Sequence, residues 1–292
     1  MSRLTIFTPA YNRADLLPRL YDALKRQTNS FFEWIVVDDG STDDTLALLE
    51  GWKTENIIPI RYYHKENGGI HTAYNVGIEK ADTELWMCID SDDFPPDDAV
   101  EKILQLWDQK GSEKYAGIVG LDYGMDGHPL KNLTLPDVEV VRIMDLTTTY
   151  QFRADTKMVH RTILLKAVAP MQVFAGEKNF NPIYLFLKID QHYPLLVLNE
   201  NLCFVDYQET GMANNIMKQY VNSPRSFAEL RRMMMGLSHA PYSFVFRNAV
   251  HHVSSNLFAR QNFLKDSPKK LTSILAFPFG VLLYFYIRKK QS

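Results

Sequence analysis

Cysteine is nearly absent from this 292-residue chain. Cys88 and Cys203 are the only two, which argues against a disulfide framework and for a reducing compartment. Long apolar runs are scarce as well. The run Leu275–Ile287 (LAFPFGVLLYFYI) stops short of the about twenty residues a membrane-spanning helix needs. Pro278 and Gly280 are expected to break it. No internal repeat or low-complexity linker interrupts the chain, and no signal-peptide pattern precedes the first strand-like stretch, so a cytosolic body is expected. A Gly-rich, Lys- or Arg-bearing phosphate loop is also missing after that first strand. Pro9-Ala10-Tyr11-Asn12-Arg13 stands there instead, which argues against a nucleotidyltransferase.

Acid is lacking in the last part. From Met212 onward there are twelve Lys or Arg and only Glu229 and Asp266, a balance of +10, while the first 211 residues carry −12. Such asymmetry calls for an anionic partner of the tail.

What is present first is alternation. Leu4–Thr8, Trp34–Asp38, Ile58–Tyr63 and Leu85–Asp90 read as buried strands. Between them, Ala14–Gln27, the stretch opened by Ser41-Thr42-Asp43-Asp44, and His71–Lys80 read as helices, the first with Asn12 as its N-cap. A helix at Ala99–Trp107 and strands at Gly117–Leu121, Val138–Ile143 and Leu195–Val205 follow. Repeated βα units imply an α/β fold with a mostly parallel sheet, whose ligands sit at the carboxyl ends of the strands. The conspicuous acids lie at those ends: Asp38 and Asp39 after the second strand, Asp90, Asp92 and Asp93 after the fourth. Crowded carboxylates repel one another, and a hard cation such as Mn²⁺ or Mg²⁺ removes the conflict. Asp43 and Asp44 read more simply as helix caps, whereas Asp90 and Asp92 read as metal ligands.

Four segments then stand in order: Thr8-Pro9-Ala10-Tyr11-Asn12-Arg13; Val37-Asp38-Asp39-Gly40-Ser41-Thr42-Asp43; Asn67-Gly68-Gly69 with Asn75-Val76-Gly77-Ile78; and Ile89-Asp90-Ser91-Asp92-Asp93. Together they resemble the family 2 glycosyltransferases with the GT-A nucleotide-diphospho-sugar transferase fold. The resemblance implies a nucleotide pocket lined by Pro9, Ala10, Tyr11 and Asn12, with Asp39 accepting a hydrogen bond from uracil. It implies that Asp90 and Ser91 lie near the ribose, that Asp90 and Asp92 hold the metal, and that Asp93 supports them. Asn67 and Gly69 would let backbone approach the diphosphate. Where many relatives place a basic residue, this chain has Ile70-His71, and His71 reads equally as a phosphate contact or a polar cap. An inverting transfer needs a general base. Phe174-Ala175-Gly176-Glu177-Lys178 resembles the loop that supplies it, which makes Glu177 the candidate, with Asp190 as substitute and a surface Glu–Lys pair as the plain alternative. Tyr207-Gln208-Glu209-Thr210-Gly211-Met212-Ala213-Asn214-Asn215 resembles the segment that closes the family's catalytic domain, with Gly211 suited to a positive φ.

These readings give a GT-A catalytic domain over residues 1–216 and a helical, basic tail over 217–292. The basic flanks Lys269-Lys270 and Arg288-Lys289-Lys290 suit an anionic membrane surface better than nucleic acid, although a buried terminal helix fits the same pattern. His251-His252 reads as ordinary helix surface. The expected activity moves a hexose or N-acetylhexosamine from a UDP-sugar to a glycan acceptor, polyprenyl-linked, at the inner face of the cell membrane. The rival from another class is a non-catalytic sugar-nucleotide-binding or scaffold protein.

Overall fold

A computed structural model describes residues 1–206 and 216–291 of the chain. Its strands are β1 (Leu4–Ala10), β2 (Phe32–Asp38), β3 (Ile60–His64), β4 (Leu85–Cys88), β5 (Gly117–Gly124), β6 (Val140–Val141), β7 (Thr156–Arg161) and β8 (Leu195–Val205). They form one sheet in the order β3-β2-β1-β4-β7-β5-β8-β6. The first four strands in that order are parallel neighbours; β1, β2 and β4 are mostly buried, whereas β3 at the edge is largely half-buried. The sheet as a whole is mixed, because β7 runs antiparallel to both β4 and β5.

That central β7 is not visible as a strand in the sequence. Its Thr-Lys-Met-Val-His-Arg run carries Lys157 and His160, both buried, so polar residues occupy core positions and erase the periodicity. Other expectations shift at the edges. The fourth strand ends at Cys88, freeing Ile89–Asp93 to turn, with the Asp93 N–H donating to Asp90 O at 3.0 Å. The expected strand at Val138–Ile143 shrinks to Val140–Val141.

Helices α1 (Leu17–Lys25), α2 (Thr45–Glu55), α3 (Ile70–Lys80), α4 (Ala99–Lys110), α5 (Ile143–Thr148), α6 (Thr162–Val168) and α7 (Ile183–Asp190) connect the strands. Asn12 does not cap α1, which starts five residues later. It adopts φ 52° and its Oδ1 accepts the Thr42 N–H at 2.8 Å. Asp43 instead ties the two turns together, accepting from the Ala14 N–H at 3.0 Å and the Thr45 hydroxyl at 2.6 Å. The core joins Trp34, Tyr21 and Trp52, with Tyr21 and Trp52 stacked at 4.3 Å. On α3, a Cβ at Gly77 would lie 2.3 Å from the Phe7 ring, so glycine is what lets this helix seat on β1.

The chain divides into two compact units. One comprises Met1–Asn67, Thr72–Pro170 and Lys188–Gln208; the other comprises Gly68–His71, Met171–Leu187 and Glu209–Ser292. The second is helical: α8 (Ile216–Asn222), α9 (Pro224–Met235), α10 (Tyr242–Phe258) and α11 (Lys270–Gln291). Contrary to expectation, α11 runs unbroken through Pro278 and Gly280 for 22 residues. Gly280 lets it approach α10, where an added Cβ would sit 2.5 Å from Val253, and the resulting packing outweighs the one backbone bond that Pro278 cannot make. His251 and His252 are not helix surface either. His252 is 4% exposed, with its ring nitrogens 3.1 Å from Ala228 O and 3.2 Å from Phe263 O. His251 stacks on Tyr220, and burial pushes its pKa down to about 4.

Replacing Gly77 by valine is expected to cost about 1–3 kcal/mol by overpacking against Phe7. Urea unfolding checks this: the midpoint drops while the slope stays constant, and an unchanged midpoint would refute the close α3–β1 seat.

Candidate active site

The parallel register assembles the site. Ala10 pairs with Asp38, Asp38 with His64, and Phe7 with Cys88, so β1, β2, β3 and β4 all end on one rim. Two backbone bonds extend the pairing: Asp39 N–H to Ala10 O at 2.8 Å and Ile89 N–H to Phe7 O at 2.9 Å. The residues following each strand, Tyr11-Asn12, Asp39, and Asp90–Asp93, are thereby brought together.

The acids on this rim are not equivalent. Asp38 is 1% exposed and structural. Burial alone would raise its pKa, but hydrogen bonds from Ser41, His64 and Tyr62 outweigh that and hold it below the usual carboxylate range. Asp39, 4% exposed, is gripped by Lys65 Nζ at 2.5 Å and Asn67 Nδ2 at 3.2 Å, and the latter also donates to Asp39 O at 2.7 Å.

Asp90 is exposed, Ser91 and Asp93 are buried, and Asp92 lies between. Burial and the Asp90 charge raise the Asp92 pKa, opposed by Arg13 and Arg19. Asp93 rises to about 7, chiefly through burial, with Asp90 and Asp92 adding and Lys157 opposing. Crowded acids therefore share one edge, the electrostatic conflict anticipated from the sequence. The basic groups that temper it were not anticipated. Arg13 Nε donates to Ser91 Oγ at 3.1 Å, and Arg19 donates to Asp92 O while pairing with Asp206 at 2.8 Å. Buried Lys157 stands 3.7 Å from Asp122. Arg13 directly follows the Pro-Ala-Tyr-Asn segment, a signal that was available; Lys157 had none. Among the described residues, no group of three or more His, Cys, Asp or Glu side chains converges to hold a metal.

In the helical unit three expectations change. Gly69 adopts φ 95°, and an added Cβ would lie 2.0 Å from Lys178 O, so its glycine is required by a close approach of protein backbone. His71 is wholly buried, 6.2 Å from the Phe180 ring, so its imidazole is withdrawn from solvent. Glu177 is 5% exposed and both its oxygens are occupied. Oε1 accepts from Arg225 N–H at 3.0 Å and Nε–H at 2.9 Å; Oε2 accepts from Ser226 N–H at 2.8 Å and its hydroxyl at 2.7 Å. Arg225 and Ser226 open α9, so this carboxylate anchors a helix N-terminus. It is neither a surface partner of Lys178 nor a free base. Asp190 does the same for α5, accepting the Ile143 and Met144 N–H groups at 2.7 and 3.3 Å, while burial lifts its pKa to about 6. The 207–215 segment lies outside the described residues.

A mixed sheet with flanking helices and acids on one strand-end rim is the architecture of the GT-A fold. The Glycosyl transferase family 2 model matches residues 5–163, and the chain belongs to that family. It is 25% identical over 243 residues to the poly(ribitol-phosphate) β-N-acetylglucosaminyltransferase TarS of Staphylococcus aureus, which covers 80% of this chain and 40% of TarS. A Rickettsia felis glycosyltransferase is 33% identical over 108 residues, 37% of this chain and 18% of its own. The chain thus spans well under half of these relatives. The fold matches TarS residues 1–349 in complex with UDP-GlcNAc at TM-score 0.66 and 17% identity, covering 99% of this chain and 91% of that one. It also matches a Pyrobaculum calidifontis mannosyltransferase in complex with GDP-Man and Mn²⁺ at TM-score 0.56 and 16% identity, covering 99% and 81%.

Glu177→Ala should destabilise the protein by about 2–3 kcal/mol, since it strips a carboxylate from four donors. Thermal unfolding checks this. An unchanged melting temperature would show that the carboxylate is not an anchor and would return Glu177 to candidacy as the base.

Proposed function

We propose that this chain is an inverting, metal-dependent glycosyltransferase that moves a hexose or N-acetylhexosamine from a UDP-sugar to a hydroxyl of a glycan acceptor. The observation that carries the reading is the shared rim of Asp39, Asp90 and Asp92 in a member of family 2. The UDP-GlcNAc complex of TarS supports the donor class, and the GDP-Man and Mn²⁺ complex supports metal use within this fold.

The donor set fits a hard divalent ion. Asp90 offers an exposed carboxylate, and its repulsion of Asp92 is the conflict a cation relieves. Because no third acid, His or Cys converges among the described residues, the remaining ligands of Mn²⁺ or Mg²⁺ would be water and diphosphate oxygens. When bound, such an ion supplies charge neutralisation to a departing diphosphate. The protein's own residues do the rest. Pro9 to Asn12 line the nucleotide position, Ser91 holds Arg13 at the rim, and Asn67 fixes the Asp39 backbone. Arg13, held at the rim by Ser91, is placed to favour phosphate oxygens. Glu177 and Asp190, the two candidates for taking the proton of the acceptor hydroxyl, are both engaged at helix starts.

We further propose that the acceptor is polyprenyl-linked and that the protein works peripherally on the cytoplasmic face of an anionic membrane. The support is α11. Its hydropathy averages 1.6 over the most apolar 18 residues, of which 22% are buried. Leu271, Ile274, Phe279, Leu282 and Phe285 are each more than half exposed between basic flanks. By length alone α11 could cross a bilayer, but Ala276, Gly280 and Ile287 pack against neighbouring helices, which suits a helix lying in the headgroup region.

Asp92→Asn is expected to lower UDP release from UDP-sugars in Mn²⁺ by at least about 100-fold, and a chelator should do the same to the wild type. Release that survives both treatments removes the metal reading; release absent from the wild type with every UDP-sugar favours a non-catalytic binding protein. For the membrane, Leu282→Asp with Phe285→Asp should abolish flotation with phosphatidylglycerol vesicles while phosphatidylcholine vesicles never recruit the chain. Equal flotation of variant and wild type would sink the idea.

A further inference from the structure

The helical unit contains a cavity of about 560 Å³ that the proposed donor chemistry leaves without a role. One wall is a single face of α9, contributed by Arg225, Ala228, Glu229 and Arg232; α10 supplies His252 and Asn256 one turn apart. The segment after α10 closes a third side with Gln261 and Asn262, and the loop ahead of Glu177 closes a fourth with Gln172 and Phe174.

Its chemistry excludes most occupants. Only Ala228 and Phe174 are apolar, too little for a lipid chain or an aromatic drug-like ligand. Its two guanidiniums are already neutralised: Arg232 by Glu229, with two bonds of 2.6 Å, and Arg225 by Glu177 at 2.9 Å. Lys265 and Asp266 add one charge of each sign. A phosphate or diphosphate would find its cations taken and carboxylates beside them. His252 lies between two backbone carbonyls and burial lowers its pKa, so it adds no cation near neutral pH. What remains is a dense, nearly neutral mixture of donors and acceptors: four side-chain amides, two fixed ion pairs, and one ring carrying a guanidinium at 5.4 Å. Hydroxyl groups, which donate and accept at once, match such a lining. The volume lies within the about 300–1,000 Å³ typical of ligand pockets.

We propose that this cavity is a subsite for a polyhydroxylated acceptor segment, a pyranose oligosaccharide or an alditol chain. The proposal rests on the transferase reading for calling that ligand the acceptor. Two residues connect cavity and loop: Arg225 binds Glu177 through its backbone and Nε while its side chain lines the cavity, and Phe174, which opens the segment resembling the family's base-supplying loop, lines it as well.

Saturation-transfer NMR on the full chain tests it, with chitotetraose, cellotetraose and a ribitol phosphate oligomer as probes and inorganic phosphate as competitor. At least one probe should bind, and the double variant Gln172→Ala/Gln261→Ala, at two exposed positions, should weaken it at least tenfold. Binding of a neutral tetrasaccharide assigns a pyranose subsite; binding of the ribitol oligomer alone, unmoved by phosphate, assigns an alditol subsite. Displacement by phosphate, binding indifferent to the double variant, or no binding by any probe overturns the proposal. UDP release by the wild type is scored separately. Saccharide binding without UDP release keeps the subsite and removes the transferase reading, and UDP release without saccharide binding does the reverse.

Discussion

The structure depends on the parallel hydrogen-bond register between β1 and its neighbours β2 and β4. Because Ala10 lies opposite Asp38 and Phe7 opposite Cys88, the chain emerges from all three strands on the same side. The two bonds that continue the register, Asp39 to Ala10 and Ile89 to Phe7, fix where the acidic turns begin. A slip of one residue would turn every buried side chain of a strand to the other face and carry the aspartates with it. The core guards against that slip through large, shape-specific groups such as Trp34, Tyr21 and Trp52 on one face and Phe7 beneath Gly77 on the other.

Bringing acids together this way has an electrostatic cost, and the protein handles it differently at each residue. Asp38 is stabilised as an anion by three polar side chains. Asp39 is matched by Lys65. Asp92 and Asp93 remain strained, with pKa values raised by burial and by the Asp90 charge despite Arg13, Arg19 and Lys157 nearby. The conflict is thus left unresolved only at the turn following β4. Residual strain at one place, with satisfaction elsewhere on the same rim, is compatible with the cationic ligand proposed above.

The legible part of the molecule was the part built on periodicity and short motifs. Buried parallel strands write themselves as continuous apolar runs, so β1, β2 and β4 and the acids behind them could be read directly. β7 could not, because its Lys157 and His160 are polar residues in the core, Lys157 facing the carboxylate of Asp122 on another strand. Side-chain commitments were equally hidden. Glu177 carries a motif that suggests proton transfer, yet its use is decided by Arg225 and Ser226, 48 and 49 residues away. Gly69 was expected to let backbone approach the donor's diphosphate, whereas the group an added Cβ would meet is Lys178 O. Motifs announce that a residue is constrained; only the fold says by what.

The same distinction explains α11. Proline and glycine within thirteen apolar residues suggest a broken segment if the helix is judged alone, since local propensity then decides. Packed against α10 the balance changes. Gly280 becomes an asset, because removing a side chain lets the helices approach until Val253 fills the space, and burial of Ala276 and Ile287 adds to that contact. The inner face is thereby fixed by Ala276, Gly280 and Ile287, which leaves Leu282 and Phe285 on the outside. An apolar exterior between basic ends is therefore the geometric consequence of how the inner face packs, and the +10 charge of the last part of the chain acts on whatever surface that exterior meets.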